Sequence, residues 1–598
     1  MAVIGNAFDI NLVRRILSYA KPYKNFFLSS IVLTVLLALI SPVRPYLIEF
    51  TVNHYILHYS FTGLWEMTLL MLFLLGVQSL IQYAHSFLTN SLGQSVIKDL
   101  RIETFNIIIQ SRLKFFDKTP LGQLNTRTIS DLETIADVFS DGLIEIVGSI
   151  LQIIALVGFM AFSDWKLTLV VLTPIPILFI GTLIFQKSIK KAFTSVRTEV
   201  AALNSFLQEH ITGISLIQIF SREYQEMEKF KKINRRYREA NINSNFSYSI
   251  FFPFVEVMAA LSMGLLIWFG AKGIMLNEIS PGVVVSFLLY INLLFRPIRD
   301  LADKFNTLQL GMVSAGRIFY LLDHKEFTPD EGQKVLSPFI GKIEFDHVWF
   351  AYNEQDYVLK NLSFTVNPGE TIAFVGATGA GKSSIIQILS RFYEINSGSI
   401  RLDGIDIREI PLSVLRSLIT TVQQDVFLFS DTIGENIRMG DLSISDSEIK
   451  CASSRVGADE FIERLPGNYE YNVMERGGTL SLGQAQMLSF IRALVHNPII
   501  LVLDEATSSV DSETEEMIQN AILKLMENRT SILIAHRLST IQHADNIIVL
   551  DKGEIKEMGA HQELLKMGGA YKRLYDLQFG SEGILGLNSS FIENPIDL

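Results

Sequence analysis

The 598-residue chain contains one cysteine, Cys451, so it cannot form an internal disulfide, which suits a largely cytoplasmic protein. Positive charge is also scarce, because 51 Lys and Arg stand against 62 Asp and Glu, a net charge of −11. A protein that binds nucleic acid needs a basic face. The charge balance therefore argues against nucleic acid as a partner.

Apolar residues, in contrast, are abundant. They make up 49% of the chain, Phe occurs 41 times, and the mean hydropathy is positive. Soluble proteins rarely have this composition, whereas a membrane domain fused to a soluble domain does. The length also exceeds that of one ordinary core, so two or more domains are expected.

The composition changes near Asp323, from long apolar segments to short strand-like runs with Gly-rich turns. An amphipathic segment at the start, Ile10–Ala20, is expected to lie along the inner membrane interface as an elbow helix. The apolar half predicts six membrane-spanning helices of about 20 residues. They are Phe26–Pro45, Leu64–His85, Leu143–Ser163, Leu167–Gln186, Phe251–Ala271 and Pro281–Phe305.

Lys and Arg cluster before the first span, between spans two and three, and between spans four and five. The opposite loops are short and carry few basic residues. The positive-inside rule therefore predicts that both termini and the soluble half are cytoplasmic. The membrane itself is expected to be a plasma (inner) membrane. The two long basic connections have a helical pattern, and each is expected to turn where it touches the soluble domain, near Asp117–Asp131 and Glu209–Glu223.

In the second half, an apolar run from Thr371 leads into a glycine-rich loop and then a helical stretch, which is the setting of a P-loop. Its backbone N–H groups can close around phosphate oxygens at a helix N-terminus. Lys382 is expected to reach the β- and γ-phosphates of ATP, and the Ser383 hydroxyl to bind Mg²⁺. The predicted nucleotide-binding residues are Gly376, Thr378, Gly379, Gly381, Lys382, Ser383 and Ser384.

Two further strand-like runs end in residues suited to phosphate chemistry. The run from Ile499 ends at Asp504, which can hold Mg²⁺ through water, and at Glu505, which can polarise the attacking water. Without a P-loop, an exposed acidic turn would be the better interpretation of these carboxylates. A lone histidine is more often structural. His536, however, ends the other run, at the sheet edge where ligands collect in α/β folds, which favours contact with the γ-phosphate.

These motifs resemble those of ATP-binding cassette (ABC) transporters of the exporter type, from about Phe8 to Phe579. The discriminating sequence is Leu-Ser-Leu-Gly-Gln at 480–484, which is similar to the family signature Leu-Ser-Gly-Gly-Gln. Gln424 matches the Q-loop and Asp511 the D-loop. Tyr352 resembles the aromatic residue that stacks on adenine. The motifs Phe-Phe-Asp-Lys-Thr-Pro-Leu-Gly at 115–122 and Glu-His-Ile-Thr-Gly-Ile at 209–214 resemble the two coupling-helix regions.

The resemblance implies a dimer in which two cassettes close head to tail around ATP. Ser481, Gly483 and Gln484 would then contact the nucleotide held by the partner's P-loop. Within one chain, the catalytic residues would be Glu505, His536 and Gln424, and the Mg²⁺ ligands Ser383, Gln424 and Asp504. Because ATP binds the closed dimer better, it would drive closure, move the coupling helices and turn the membrane cavity outward.

Two features depart from the family pattern. Leu482 replaces the third-position glycine of the signature, and Ala485 begins a non-basic stretch where Arg-Gln-Arg is usual. An intact catalytic set with an altered signature resembles one subunit of heterodimeric exporters with unequal ATP sites. A heterodimer with a second half-transporter is therefore favoured, and a homodimer that tolerates Leu482 is the alternative.

Polar residues inside the spans usually face a cavity or another helix. Glu145, Glu256 and Asn292 are therefore candidate contacts for substrate, and the two carboxylates would suit cationic substrates. Placement at the membrane edge or helix–helix hydrogen bonding is the alternative for each. The expected substrate is an amphipathic small molecule or lipid. The alternatives are a flippase for lipids or lipid conjugates and, in another class, an ATP-gated channel or regulatory subunit.

The expected fold is an all-α six-helix transmembrane domain followed by an α/β P-loop nucleotide-binding domain of the ABC type. A helical subdomain is expected at about Ser413–Arg492. The predicted segments are the elbow at 1–24, the transmembrane domain at 25–315, a linker at 316–340, the cassette at 341–579 and a tail at 580–598.

Overall fold

A computed structural model describes residues 10–334, 338–353, 356–504, 512–534 and 538–585. The chain divides into two units. The transmembrane unit contains the chain up to Gln110 and Thr119–Lys325, and the cassette unit contains Ser111–Lys118 and the chain from Glu326 onward. The short segment Ser111–Lys118 is thus inserted in the transmembrane sequence but packs with the cassette.

The transmembrane unit is helical throughout its described part, because long apolar runs satisfy their backbone hydrogen bonds internally only as helices. Its π-helical turns are Val52–Ile56, Arg127–Asp131 and Val138–Leu143, and Lys21–Tyr23 is a 3₁₀ turn. The α-helices are Ile10–Ser18, Lys24–Ile40, Val43–Thr51, Phe61–Gln110, Leu121–Thr126, Leu132–Asp137, Ile144–Ser163, Trp165–Leu172, Ile175–Thr212, Ile214–Ile219, Glu223–Met275 and Pro281–Asp323.

Six helical segments in the described part are long and apolar enough to cross a membrane, which confirms the predicted number of spans. They are Lys21–Ile56, Phe61–Gln110, Leu121–Ser163, Trp165–Thr212, Glu223–Met275 and Pro281–Ile298. The helix Phe61–Gln110 has 50 residues, or about 75 Å at 1.5 Å per residue. That is more than twice the roughly 30 Å of a hydrocarbon core. The helix of the fifth span, Glu223–Met275, has 53 residues. Both helices are therefore long enough to extend beyond the bilayer.

The last helix of the transmembrane unit, Pro281–Asp323, contributes much of that unit's buried surface. Phe287 and Tyr290 are fully buried on it, and the Tyr290 hydroxyl donates to the Pro42 carbonyl oxygen at 3.1 Å. The helix continues to Asp323, into the segment predicted to be a linker.

The described part of the cassette unit contains two sheets. The strands are β1 (Ile343–Ala351), β2 (Tyr357–Val366), β3 (Thr371–Val375), β4 (Ser397–Leu402), β5 (Ile405–Asp406), β6 (Ile419–Val422), β7 (Ile500–Asp504), β8 (Thr530–Ile534), β9 (Asn546–Asp551) and β10 (Glu554–Gly559). The antiparallel sheet has the order β2-β1-β4-β5. The second sheet has the order β10-β9-β3-β8-β7-β6, with β9, β3, β8, β7 and β6 parallel and only the β9–β10 pair antiparallel.

Helices pack against the parallel sheet, and several of them lie within Ser413–Arg492, where a helical subdomain is predicted. Asn468–Glu470 and Glu475–Gly477 are 3₁₀ turns. The α-helices are Leu113–Lys118, Lys382–Leu389, Leu412–Leu418, Ile433–Arg438, Asp446–Val456, Asp459–Glu463, Leu482–Val495, Ser512–Met526, Leu538–Gln542, His561–Met567 and Ala570–Leu585. Because β3, β6, β7 and β8 are parallel, their carboxyl ends meet at one sheet edge, where ligands of α/β folds collect. The predicted fold class is confirmed.

Candidate active site

The P-loop joins β3 to the helix Lys382–Leu389, as the sequence predicts. A side chain at Gly376 would overlap the carbonyl oxygen of Leu550, on neighbouring strand β9. Gly381 has a left-handed backbone with φ of +102°, and a Cβ there would lie 2.7 Å from Leu359 Cδ2. Both positions therefore require glycine, which keeps the phosphate cradle open.

Lys382 is buried at the first turn of this helix, with 7% of its surface exposed. Its ammonium donates to the carbonyl oxygens of Gly376 at 2.7 Å and Ala377 at 3.2 Å. Burial lowers the pKa of Lys382, and the negative charge of Asp504 partly opposes that effect. The carbonyl groups of the loop thus hold the Lys382 ammonium beside the phosphate cradle, from which it can bind a phosphate group.

The strand register brings the tips of three strands together. Phe374 of β3 pairs with Ile534 of β8, and Ile534 pairs with Asp504 of β7. On the next strand, β6 ends at Val422, two residues before the exposed Gln424. The exposed Ser383 begins the P-loop helix. Ser383, Gln424 and Asp504 supply hydroxyl, amide and carboxylate oxygens, which are the donors that Mg²⁺ prefers, so this set fits that ion.

Three predicted site residues, Glu505, Asp511 and His536, lie outside the described residues. The described strands nevertheless lead directly to two of them. Asp504 is the last residue of β7, and Ile534, the last residue of β8, is its register partner. The assignments of Glu505 and His536 therefore continue to rest on their sequence positions after these two strands.

Tyr352 follows β1 and is braced by two other rings. The centroids of Phe350 and Tyr393 lie 4.8 and 4.9 Å from that of Tyr352, both in edge-to-face geometry. The Tyr352 hydroxyl is 3.0 Å from the Ser384 hydroxyl, at the start of the P-loop helix. Tyr352 is thus fixed next to the phosphate cradle, in a place suited to stacking on a nucleobase.

The signature begins the helix Leu482–Val495. The Ser481 hydroxyl accepts from the Gln484 N–H at 3.2 Å, and Gln484 Oε1 accepts from the Ser481 N–H at 3.0 Å, which is a complete capping box. Ser481 is exposed and Gly483 is buried. Leu482 is 51% exposed, so its side chain leaves the cap intact but occupies the surface beside Ser481.

The first predicted coupling region is divided between the two units. The helix Leu113–Lys118 packs with the cassette, where Asp117 accepts from the Tyr393 hydroxyl. Arg112 adds an ion pair with Glu326, 3.0 Å from Nη2 to Oε2. Sequence reasoning missed Tyr393, because no pattern links an aromatic residue after the P-loop helix to a carboxylate 276 residues away. In the second region, Gly213 ends one long helix, Ile214–Ile219 forms a short helix, and Glu223 begins the next long helix.

The intramembrane candidates differ in their surroundings. Glu145 Oε2 accepts from Lys304 Nζ at 2.5 Å. Asn292 is exposed, and its amide donates to the Leu288 carbonyl oxygen of its own helix at 2.9 Å. Glu256 is exposed. Lys304 was missed as a partner, although a cation near the end of a predicted span is a recognisable signal.

Comparisons with known proteins agree with this architecture. A family model for the ABC transporter transmembrane region matches residues 27–298, and a model described as ABC transporter matches residues 359–508. The uncharacterized ABC transporter ATP-binding protein YknV of Bacillus subtilis is 38% identical over 97% of this chain and 96% of its own.

Two other relatives have more informative names. The probable multidrug resistance ABC transporter ATP-binding/permease protein YheH of Bacillus subtilis is 38% identical over 84% of this chain and 75% of its own. An ATP-dependent lipid A-core flippase of Desulfotalea psychrophila is 33% identical over 95% of this chain and 99% of its own. The chain therefore belongs to the ABC transporters, as an ATP-hydrolysing half-transporter of the exporter type.

Proposed function

We propose that this chain is the catalytically intact subunit of a heterodimeric exporter that moves amphipathic compounds outward across a bacterial plasma membrane. The observation that carries the proposal is a P-loop cradle of normal geometry in the same chain as an altered signature, with Leu482 beside Ser481. The basic cytoplasmic connections support a cytoplasmic location for both termini and the cassette.

In this proposal ATP binds with adenine on Tyr352 and with its phosphates in the cradle of Gly376, Gly379 and Gly381. The Lys382 ammonium exchanges its hydrogen bonds with the loop carbonyl oxygens for bonds with the β- and γ-phosphates. Glu505 accepts a proton from the attacking water, while Gln424 and His536 orient the reacting groups. Mg²⁺, held by oxygens of Ser383, Gln424 and Asp504, supplies charge neutralisation at the phosphates when it is bound.

The partner chain would supply the other face of this ATP site. Ser481, Gly483 and Gln484 contact the partner's nucleotide, so Leu482 affects the partner's site and leaves the Lys382 site unaltered. A different partner chain with a typical signature would complete a fully active ATP site at Lys382. The other ATP site, which contains Leu482, would be the weaker of the two. The two sites would then be unequal by construction.

Exposed apolar residues support docking of a second chain. In the transmembrane unit, Ile219 and Phe220 are exposed at the end of the short helix Ile214–Ile219. In the cassette unit, Phe427 and Phe429 are exposed after the Q-loop, with ring centroids 5.2 Å apart. Apolar groups of this size at two cytoplasmic surfaces are typical of protein interfaces.

By their names, one of the two informative relatives is a probable multidrug resistance transporter and the other is a lipid A-core flippase. Export of drug-like amphiphiles is the leading assignment, and lipid flipping is the second candidate. The two differ in what stimulates ATP turnover. Soluble drugs should stimulate an exporter of drugs, and purified lipid should stimulate a flippase.

The experiment is to purify this chain alone and together with the half-transporter encoded by a neighbouring gene, and to compare their oligomeric state and stimulated ATPase activity. We expect an active complex only with both chains. In the same preparation, Leu482→Gly tests the unequal sites, because it should change nucleotide exchange at the partner's P-loop and leave the Lys382 site unaltered.

A stable homodimer of this chain with drug-stimulated ATPase activity would contradict the heterodimer. Absence of nucleotide-driven movement of amphiphiles in reconstituted vesicles, despite ATP turnover, would contradict export itself.

A further inference from the structure

Four spans of the transmembrane unit meet at one polar network. Lys304 Nζ, on the helix of the sixth span, donates to Glu145 Oε2 at 2.5 Å, at the start of the third-span helix Ile144–Ser163. His85 Nδ1, on the second span, lies 4.0 Å from Glu145 Oε1. His85 Nε2 is 2.9 Å from the Thr34 hydroxyl oxygen, on the first span.

The hydrogen-bond directions in this network follow from Thr34. Its hydroxyl hydrogen is donated to the Ser30 carbonyl oxygen at 2.7 Å. The Thr34 oxygen can therefore only accept from His85, so Nε2 carries a hydrogen. His85 Nδ1 is too far from Glu145 for a hydrogen bond. His85 and Thr34 thus brace the network, and the charged partner of Glu145 is Lys304.

The ion pair of Glu145 and Lys304 is more exposed than the two residues that brace it. His85 and Thr34 are both 6% exposed, whereas the side chains of Glu145 and Lys304 are 35% and 21% exposed. Lys304 has three N–H donors, of which one is directed to Glu145, and Glu145 Oε1 makes no hydrogen bond to a described residue. A ligand can therefore reach both charges without separating them. Charged side chains in a span face a bundle interior or water-filled cavity, because lipid exposure is costly.

A neutral ion pair favours one class of ligand. A single cation is attracted by Glu145 and repelled by Lys304 a few ångströms away, and the two effects largely cancel. A single anion is attracted by Lys304 and repelled by Glu145, and these two effects also largely cancel. A zwitterion that lies antiparallel to the pair makes two attractive contacts, its anion on Lys304 and its cation on Glu145.

We propose that Lys304 and Glu145 form a recognition site for zwitterionic headgroups of amphiphiles. This inference rests on the proposed function and specifies its substrate class. It also alters the interpretation of Glu145, which the sequence alone offers as a contact for cationic substrates. The structure adds an equal and opposite charge next to it.

The test uses three amphiphiles with the same alkyl tail and a phosphocholine, trimethylammonium or sulfate headgroup. Each is titrated below its micelle concentration onto the full complex in nanodiscs, and binding and ATPase stimulation are measured. The wild-type complex should bind the zwitterion most tightly. Lys304→Met should weaken zwitterion binding at least about tenfold and favour the cation, whereas Glu145→Gln should favour the anion.

The control variant is Glu239→Gln, which removes the same charge from an exposed pair with Arg235 in the transmembrane unit. It should leave the headgroup preference unchanged. The double exchange Glu145→Lys with Lys304→Glu retains a neutral pair, so it should assemble and keep the preference for the zwitterion even if the single variants do not assemble.

Unchanged headgroup preference in both single variants would overturn the proposal and leave the pair a purely structural link between helices. Equal binding of all three headgroups by the double exchange would overturn it as well. Competition by zwitterionic bilayer lipid would identify a lipid as the occupant, and its absence a soluble amphiphile, and both outcomes support the site. ATP turnover without amphiphile is measured in parallel, because its loss would point to failure of the transporter as a whole.

Discussion

At the scale of single residues, the nucleotide cradle depends on how closely backbone segments approach each other. Gly376 lies where the P-loop leaves β3 and passes the Leu550 carbonyl oxygen of neighbouring strand β9. The absence of a Cβ, rather than unusual dihedral freedom, makes glycine necessary here. Gly381 is required on both grounds, since its φ is positive and Leu359 lies beside it.

Gly376→Ala should therefore weaken ATP binding. Overpacking a tight site costs about 1–3 kcal/mol, so a loss of roughly tenfold in affinity is expected, measured by equilibrium binding of a fluorescent ATP analogue. Gly434→Ala is the matched control, because its Cβ would have only ordinary contacts, the nearest at 3.5 Å. Unchanged affinity in Gly376→Ala, or an equal loss in Gly434→Ala, would contradict this account of the loop.

Individual residues also mark the limit of what the sequence can predict. The roles of Gly376 and Lys382 follow from a local motif, since strand, loop and helix are neighbours in the chain. The pairing of Glu145 with Lys304 joins residues 159 positions apart, and that of Asp117 with Tyr393 joins residues 276 apart. Periodicity specifies which face of a helix is buried, but it does not specify the distant helix that covers that face.

At the scale of elements, the first coupling region shows the same difference between local patterns and distant contacts, because its residues are divided between the two units. The six spans could be predicted because hydrophobic length alone determines them. The segment Leu113–Lys118 is too short for its pattern to show which unit it packs with. Its attachment to the cassette depends on contacts of Arg112 and Asp117 with distant residues.

Two helices at the carboxyl end of the cassette are joined by a buried polar contact. His561 is 8% exposed, and its Nδ1 lies 2.7 Å from the Tyr571 hydroxyl. Burial, with a smaller effect of Tyr575, raises the pKa of Tyr571 to about 12, so the hydroxyl keeps its proton at neutral pH. Burial also lowers the pKa of His561. The folded cassette therefore holds this imidazole in its neutral form.

This contact predicts a pH dependence of stability. The unfolded chain protonates His561 near pH 6.5, whereas the folded chain resists protonation, so the unfolded state binds more protons as the pH falls. The stabilising contribution is present above about pH 6.5 and is lost as the pH falls through the lower pKa of the folded state. Thermal unfolding of the cassette in the full chain, followed by protease sensitivity, should shift to lower temperature on acidification, and His561→Gln should reduce that shift.

His543→Gln provides the control for this measurement, because His543 is exposed in the same cassette. It should retain the wild-type pH dependence. If His561→Gln retained it as well, burial of His561 could not be the cause.

At the scale of the whole molecule, Glu505, the proposed catalytic carboxylate, should determine whether a closed dimer can reopen. Glu505 follows Asp504, whose strand β7 is in register with β8 at the edge of the P-loop sheet. If Glu505 is the general base, ATP can still bind and close the dimer without it, but the bond to the γ-phosphate is not broken. The complex should then accumulate in its closed, outward-turned state, because ATP binds that state better.

Glu505→Gln should keep nucleotide affinity while lowering turnover by on the order of a hundredfold or more, the usual contribution of a general base. ATPase rate, nucleotide retention and the spacing of spin labels on the transmembrane helices should be measured together in the reconstituted complex. Glu527→Gln is the matched control, because it makes the same change at an exposed residue whose pair with Arg455 spans 3.5 Å and contributes little. Wild-type turnover in Glu505→Gln would contradict the assigned base. Loss of turnover without retained nucleotide would show that the substitution removed nucleotide binding. It would contradict the expected trapping of the closed state.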